Sequence, residues 1–362
     1  MAFALQLIDV PGVDVSGSLL GLSVPLRLAL TAQASGASAV VVDSDRLMSL
    51  LDDPRLTIPR VKARPSGVFL VTAKATLVVH RGYINELRKV RGDQDSDIEG
   101  DAVPFDVPFG FSMMHVTDKA SKAVARKALM RALRKPQDGW TSTALNRPIS
   151  LFFTRFLVET PFHPNQVSIV ILAIGLVGSW LASRGDYTSM ALGGLLFHVQ
   201  SVLDGCDGEM SRLTFRGSKT GEWLDTVGDD ITNYSFFGAA GWGLYVNTQN
   251  PMYLAAGGLC LGLGVITSAI EYRYLIKIGS GDLAKYPIGV GNVAGNEGPK
   301  TFIDKISPLF KRDTFVFLTF VSAALGLLSV MLMICAVGAI IIFVAVLKAE
   351  LRMFNERRAA AR

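Results

Sequence analysis

Apolar residues crowd into the second half of this chain, and that uneven distribution constrains its fold more than any other feature. Up to about residue 135, short apolar runs alternate with charge, as in a soluble domain; from Ile149 onward, charge retreats into clusters between long apolar blocks. A helix needs about 20 apolar residues to cross a hydrocarbon core about 30 Å thick. Blocks at 167–183, 189–203, 226–246 and 252–276 approach that length, and one run at 315–347 exceeds it. The long run must fold back, with a turn expected within Gly326 to Met331. The fold class this predicts is an α-helical integral membrane domain of six transmembrane helices, preceded by a small α/β cytoplasmic domain.

The domain boundaries expected are 1–118 for the α/β part, 119–148 for a linker helix and loop, 149–354 for the membrane part and 355–362 for a basic tail. In the first part, the β-like runs FALQLIDV, SAVVVDS and GVFLVTAKATLVV alternate with the helix-like runs PLRLALTAQASG and YINELRKVRG, the pattern of a parallel sheet. It holds no G-x-G-x-x-G and no Walker loop. VARKALMRALRKPQDG reads as a helix ending before Pro136. NRPISLFFTRFLVE sets Ile149, Phe152, Phe153, Phe156 and Leu157 at helical spacing, too short to span and suited to the membrane interface, the alternative being an amphipathic helix packed on the soluble domain.

Lys and Arg gather in the loops on one side of the predicted crossings, which by the positive-inside rule makes both termini and the aspartate-bearing loop cytoplasmic, in the cell inner membrane. The start of the chain lacks the basic leader of a cleaved secretory signal. The net charge of +5 is accounted for by residues flanking apolar blocks, so nucleic acid is not an expected partner; membrane lipids are. Cys206, Cys260 and Cys335 have no pairing or zinc-type spacing and read as small buried hydrophobes.

Acid between membrane segments is expensive. Asp204 and Asp207 are three apart, Asp225 and Asp229 four apart, so each pair shares a helical face if its helix is continuous. Four carboxylates converging without a cation would repel, so either several are protonated or they bind metal, and metal is the favoured reading. Oxygen-only ligands suit a hard ion, Mg²⁺ or Mn²⁺, and four carboxylates are enough for two ions. Gly208 and Gly221 leave room for a substrate backbone, and Arg212 brings a fixed cation suited to a diphosphate. Such a set describes metal-assisted phosphoryl transfer.

The spacing D-x₂-D-G-x₂-[A/S]-R-x₈-G-x₃-D-x₃-D, carried by Asp204, Asp207, Gly208, Ser211, Arg212, Gly221, Asp225 and Asp229, resembles the signature of the CDP-alcohol phosphotransferase family. Ser211 stands where the family usually has alanine. PNQVS at Pro164 to Ser168 and KRD at Lys311 to Asp313 are also similar to the family, so the resemblance runs from about Asn146 to Arg352. It implies a six-helix membrane enzyme, homodimeric, that transfers a substituted phosphate from a CDP-linked donor to an alcohol acceptor and releases CMP. It further implies that Asp204, Asp207 and Asp225 are metal ligands, with Asp229 a ligand or the base that deprotonates the attacking hydroxyl. Gly208, Ser211, Arg212 and Gly221 would contact the cytidine diphosphate. The donor would be CDP-diacylglycerol or a CDP-polyol such as CDP-inositol.

The part ahead of the membrane blocks resembles the nucleotidyltransferase-like domain fused to this family in bifunctional inositol-phosphate cytidylyltransferase and di-inositol-phosphate-phosphate synthase. It departs from that pattern where LQLIDVPGVDVSGSLLGLS lacks a glycine-rich basic loop, so it is expected to be structural or regulatory. By the same analogy the acceptor is a polyol phosphate such as inositol phosphate, whose phosphate would be met by Arg155, Arg147, Lys277, Arg273 or Arg312; for Arg155 and Arg147, contact with a lipid headgroup is the alternative. Asp230 lies about 100° around the helix from Asp229 and is placed outside the set, and Glu209 reads as a solvated or supporting group. The alternatives are a bifunctional enzyme whose first domain makes the CDP donor, and a carboxylate-lined cation or proton transporter.

Overall fold

A computed structural model describes residues 2–107, 109–134, 138–287 and 312–360. Pro136, Lys311 of the KRD triplet, most of the loop expected between Lys277 and Arg312, and the end of the basic tail lie outside the described residues. Two compact units are present: residues 1–138 with 154–161 and 209–216, and residues 139–153 with 162–208 and 217–362.

The first unit is a small α/β domain. Strands β1 (Phe3–Ile8), β2 (Ala37–Val42), β3 (Arg60–Val61), β4 (Phe69–Lys74) and β6 (Ser96–Asp97) form a five-stranded sheet in the order β3-β2-β1-β4-β6. Every pairing in it is parallel, with Leu5 opposite Val40 on one side and Val71 on the other. The run GVFLVTAKATLVV, read from sequence as one strand, is two: the chain turns at Ala75 and Thr76, and β5 (Leu77–Val79) pairs antiparallel with β7 (Met113–His115) in a separate sheet. Helices α1 (Val24–Ala34) and α3 (Tyr83–Arg91) fall on the two expected helical runs, α2 (Asp45–Leu50) is an additional short helix, and Leu5, Leu7, Leu28, Leu30, Val40 and Tyr83 lie in the core. The loop after β1 packs inward, burying Val15, Leu19, Leu20 and Leu22. Helix α4 (Lys119–Arg131) opens on a capping box between Asp118 and Ser121.

The second unit is mostly helical. Helix α5 (Arg147–Leu157) carries the exposed Ile149, Phe152 and Phe153 where it lies in this unit. It is followed by α6 (Pro164–Ala182), α7 (Tyr187–Leu203), α8 (Gly205–Thr214, assigned to the first unit from Glu209 on), α9 (Lys219–Thr248), α10 (Pro251–Ile278), α11 (Arg312–Ala324) and α12 (Leu328–Ala360). Among the described residues, α6, α10 and α12 are long and apolar enough to cross a membrane. Helices α7, at 17 residues, and α11, at 13, follow predicted crossings but are shorter. The expected reversal in the long apolar run falls at Leu325 to Leu327, at the start of the predicted interval. There Gly326 takes φ +73°, and its amide and that of Leu327 donate back to Ala323 and Ser322, closing α11 as a Schellman motif.

Helix α6 packs against α7 and α9, α9 against α10, and α11 against α7. Small residues permit the closest approaches. A Cβ on Gly257 of α10 would lie 2.9 Å from the Gly241 Cα and 3.0 Å from the Phe237 carbonyl oxygen of α9. Phe197 and Phe236 stack with centroids 4.4 Å apart in the core that joins α7 to α9.

Candidate metal and phosphoryl-transfer site

Three helix ends and one long helix meet at the aspartates. Asp204 is the C-cap of α7, its amide bonded to the Gln200 carbonyl, and Asp207 sits in the first turn of α8. Asp225 and Asp229 lie one turn apart near the start of α9, which Ser218 caps by accepting from the Gly221 amide at 3.0 Å. One carboxylate oxygen from each of Asp204, Asp225 and Asp229 lies within 4.8 Å of the others.

Asp207 stands outside that trio. Its Oδ2 accepts a short hydrogen bond from the Ser168 hydroxyl, and its Oδ1 faces the Gly208 amide at 2.5 Å. Asp204 ends α7 with helical backbone angles, φ −52° and ψ −32°, and α8 begins at the next residue.

Arg312, the first residue of α11, reaches into the trio. Its guanidinium lies 3.0 Å from Asp204 Oδ2 and 2.5 Å from Asp229 Oδ1, and it donates to Gln200 Oε1 at 3.3 Å. A cation already seated on two of the three carboxylates shows that the cluster accommodates positive charge, and all-oxygen donors suit a hard divalent ion. The residues therefore fit the expected metal.

The other predicted residues are placed less closely. A Cβ on Gly221 would meet Asn165 Oδ1 at 2.9 Å, so the first turn of α6 closes on the start of α9. That turn is fixed by a capping box in which His163 Nδ1 accepts from the Asn165 amide and Gln166 accepts from the His163 amide. Ser211 and Arg212 lie half-buried in the last turns of α8, within the first unit. Of the five acceptor cations, Arg312 touches the aspartates. Arg147 Nη1 would lie 3.5 Å from a Cβ on Gly205, where α8 begins. Arg155 is exposed and stacks over Phe156 at 4.5 Å, while Arg273 and Lys277 are exposed on the last turns of α10.

Glu209 is not solvated. It is fully buried and accepts from the Thr154 hydroxyl at 2.6 Å, both in the first unit. Sequence reasoning missed Ser168 and Gln200, although Ser168 closes the PNQVS segment it singled out.

No family model matches the chain. It is 36% identical over 131 residues to a bifunctional IPC transferase and DIPP synthase of Aquifex aeolicus, a match covering 36% of this chain and 29% of that protein. An Archaeoglobus fulgidus protein of the same name is 28% identical over 191 residues, 52% of this chain and 36% of that protein. A phosphatidylinositol phosphate synthase of Corynebacterium glutamicum is 28% identical over 122 residues, 33% of this chain and 54% of that protein. The chain spans about a third of the length of the bifunctional relatives and about half of the last. Relatives with these names agree with the resemblance to CDP-alcohol phosphotransferases that carry a nucleotidyltransferase-like domain in front.

Proposed function

We propose that this chain is an integral membrane CDP-alcohol phosphotransferase of six crossings, homodimeric, with its site and both termini on the cytoplasmic side. It transfers a substituted phosphate from a CDP-linked donor to a hydroxyl of a polyol phosphate and releases CMP. The observation that carries the reading is the meeting of Asp204, Asp225 and Asp229 within 4.8 Å, from the end of α7 and from α9, which α8 and a short loop separate in sequence. The names of the relatives, among them a phosphatidylinositol phosphate synthase, support inositol phosphate as the acceptor.

Asp204, Asp225 and Asp229, with Asp207 beside them, would hold Mg²⁺ or Mn²⁺, up to two ions. A divalent ion held there would neutralise the donor's diphosphate and stabilise CMP as it leaves. Asp229 accepts the proton of the attacking hydroxyl, a contribution of about 10²–10⁴ in rate. The acceptor oxygen bonds to the β-phosphorus, the bond to the CMP oxygen breaks, and the electron pair leaves with CMP. Gly208, Ser211, Arg212 and Gly221 bind the cytidine diphosphate by the motif's logic. Arg312, which touches Asp204 and Asp229, and Arg147, beside Gly205, suit the acceptor's phosphate.

On this reading the donor comes from elsewhere and the first domain is structural or regulatory. Its loop after β1, where a phosphate cradle would be needed, instead buries Leu19, Leu20 and Leu22 as core. The test is direct: purified protein with CDP-diacylglycerol or CDP-inositol and inositol phosphate, with and without Mg²⁺, assayed for CMP and for product mass. Metal-dependent CMP release with a phosphodiester product is expected. Cation flux in proteoliposomes without CMP release would replace this reading with a transporter.

A further inference from the structure

We infer that Asp230 is a positioning residue: hydrogen-bonded to α10, it fixes the rotation of α9 about its own axis and so aims Asp225 and Asp229 at Asp204. The inference rests on reading the carboxylate trio as a metal site. Successive helical residues are about 100° apart, so Asp225 and Asp229 share one face while Trp223, Thr226 and Asp230 form a second stripe about a residue's step around. The whole second stripe is tied down. Asp230 Oδ2 accepts from the Ser268 hydroxyl at 2.5 Å and from the Tyr272 hydroxyl at 2.6 Å. The Thr226 hydroxyl, fully inside, donates to the Gly281 carbonyl at 2.7 Å, and the Trp223 ring packs edge-on against Tyr272 with centroids 5.4 Å apart.

The geometry explains why a clamp on one stripe governs the other. Side-chain atoms lie about 5–6 Å from a helix axis, so rolling α9 by about 30° would carry each carboxylate about 3 Å sideways. A hydrogen bond does not survive that displacement, and neither would a ligand set whose oxygens now lie within 4.8 Å of one another. Among apolar helices the freed groups find few other partners, so the clamp resists the roll. The motif that marks the site includes neither Asp230 nor its two donors.

The experiment uses the full chain in detergent and reads Mn²⁺ binding from the loss of the free-ion EPR signal. Ser268→Ala with Tyr272→Phe removes the two α10 hydroxyls that donate to Asp230, leaving Tyr234 of α9 itself beside it, and Mn²⁺ affinity is expected to fall about tenfold or more, the usual cost of losing groups behind a ligand. The KM for Mn²⁺ should rise in step, with kcat at saturating Mn²⁺ nearly kept. Asp230→Asn, which retains an acceptor for the two hydroxyls, should bind Mn²⁺ better than Asp230→Ala. Affinity in the double variant close to that of the parent overturns the inference. If the double variant fails to fold, Tyr272→Phe alone decides the matter by the same criterion. Asp225→Asn separates the two readings: intact Mn²⁺ binding there overturns the metal site itself, whereas its loss beside an unaffected double variant overturns only the clamp.

Discussion

Replacing Arg312 by methionine keeps the bulk of the side chain and removes its charge. The guanidinium lies 3.0 Å from Asp204 and 2.5 Å from Asp229, and the three side chains are 26%, 22% and 21% exposed. Asp225 completes the trio, and the variant takes the arginine's charge away from Asp204 and Asp229. Removing one partner of a buried pair costs about 3–5 kcal/mol, and the partial exposure here puts the cost at the low end, about 3 kcal/mol. For a domain of this size that is a fall of about 6–12 °C in melting temperature, measured in detergent with excess EDTA. Mn²⁺ at about 100 times its dissociation constant returns about 2.7 kcal/mol, so it should restore most of the loss. The gain from Mn²⁺ should be larger in the variant than in the parent, where the arginine competes for the same oxygens. A variant that melts within about 2 °C of the parent in EDTA would refute the idea that Arg312 neutralises the cluster.

Asp225→Asn and Asp229→Asn should each lower CMP release by about 100-fold or more while leaving the circular dichroism spectrum unchanged; retained turnover in both would remove the trio from the chemistry. Arg27 in α1 is 4% exposed and its guanidinium donates to the carbonyls of Leu19, Leu20 and Leu213, so Arg27→Met should destabilise the first unit by about 3 kcal/mol, seen as faster hydrogen exchange across β1 and α1. Burial holds the His80 pKa below the ordinary 6.5, which favours its neutral form in the folded chain. Its contribution is therefore complete above pH 6.5 and lost as pH falls toward the lower folded value, so protection factors in β5 and β7, taken relative to the intrinsic exchange rate at each pH, should fall between pH 7 and pH 5, and less so in His80→Gln. Gly257→Leu drives a side chain into α9 backbone that cannot step aside, and should lower stability by about 1–3 kcal/mol or more in a thermal melt.

Where the chemistry of a residue follows from its own helix, the sequence alone is enough. Asp225 and Asp229 are four apart in an unbroken α9, and they meet as periodicity requires. The β/α alternation of the first domain is legible for the same reason, since alternating apolar residues and turn residues act over short distances. A misreading occurs where a local rule crosses a break: the run through Ala75 and Thr76 divides because its second half pairs with β7, far along the chain. Arg312 and Asp230 belong to a third kind, in which the partner lies 108 or 42 residues away and no spacing points to it.

These differences have a common physical basis that bears on how the site is built. In an apolar bundle, each polar side chain must find a partner inside the protein, because hydrocarbon offers none. The acids of α9 therefore sort themselves by face: Asp225 and Asp229 toward Asp204 and Arg312, Asp230 toward Ser268 and Tyr272. A motif records the first face, because reactive groups must be of fixed type at fixed spacing. The second face can be satisfied by any hydroxyl at the right height on α10, and so leaves no signature in the spacing of the acids. The rotation of α9, on which the first face depends, is thus set by residues that sequence patterns are least able to reveal.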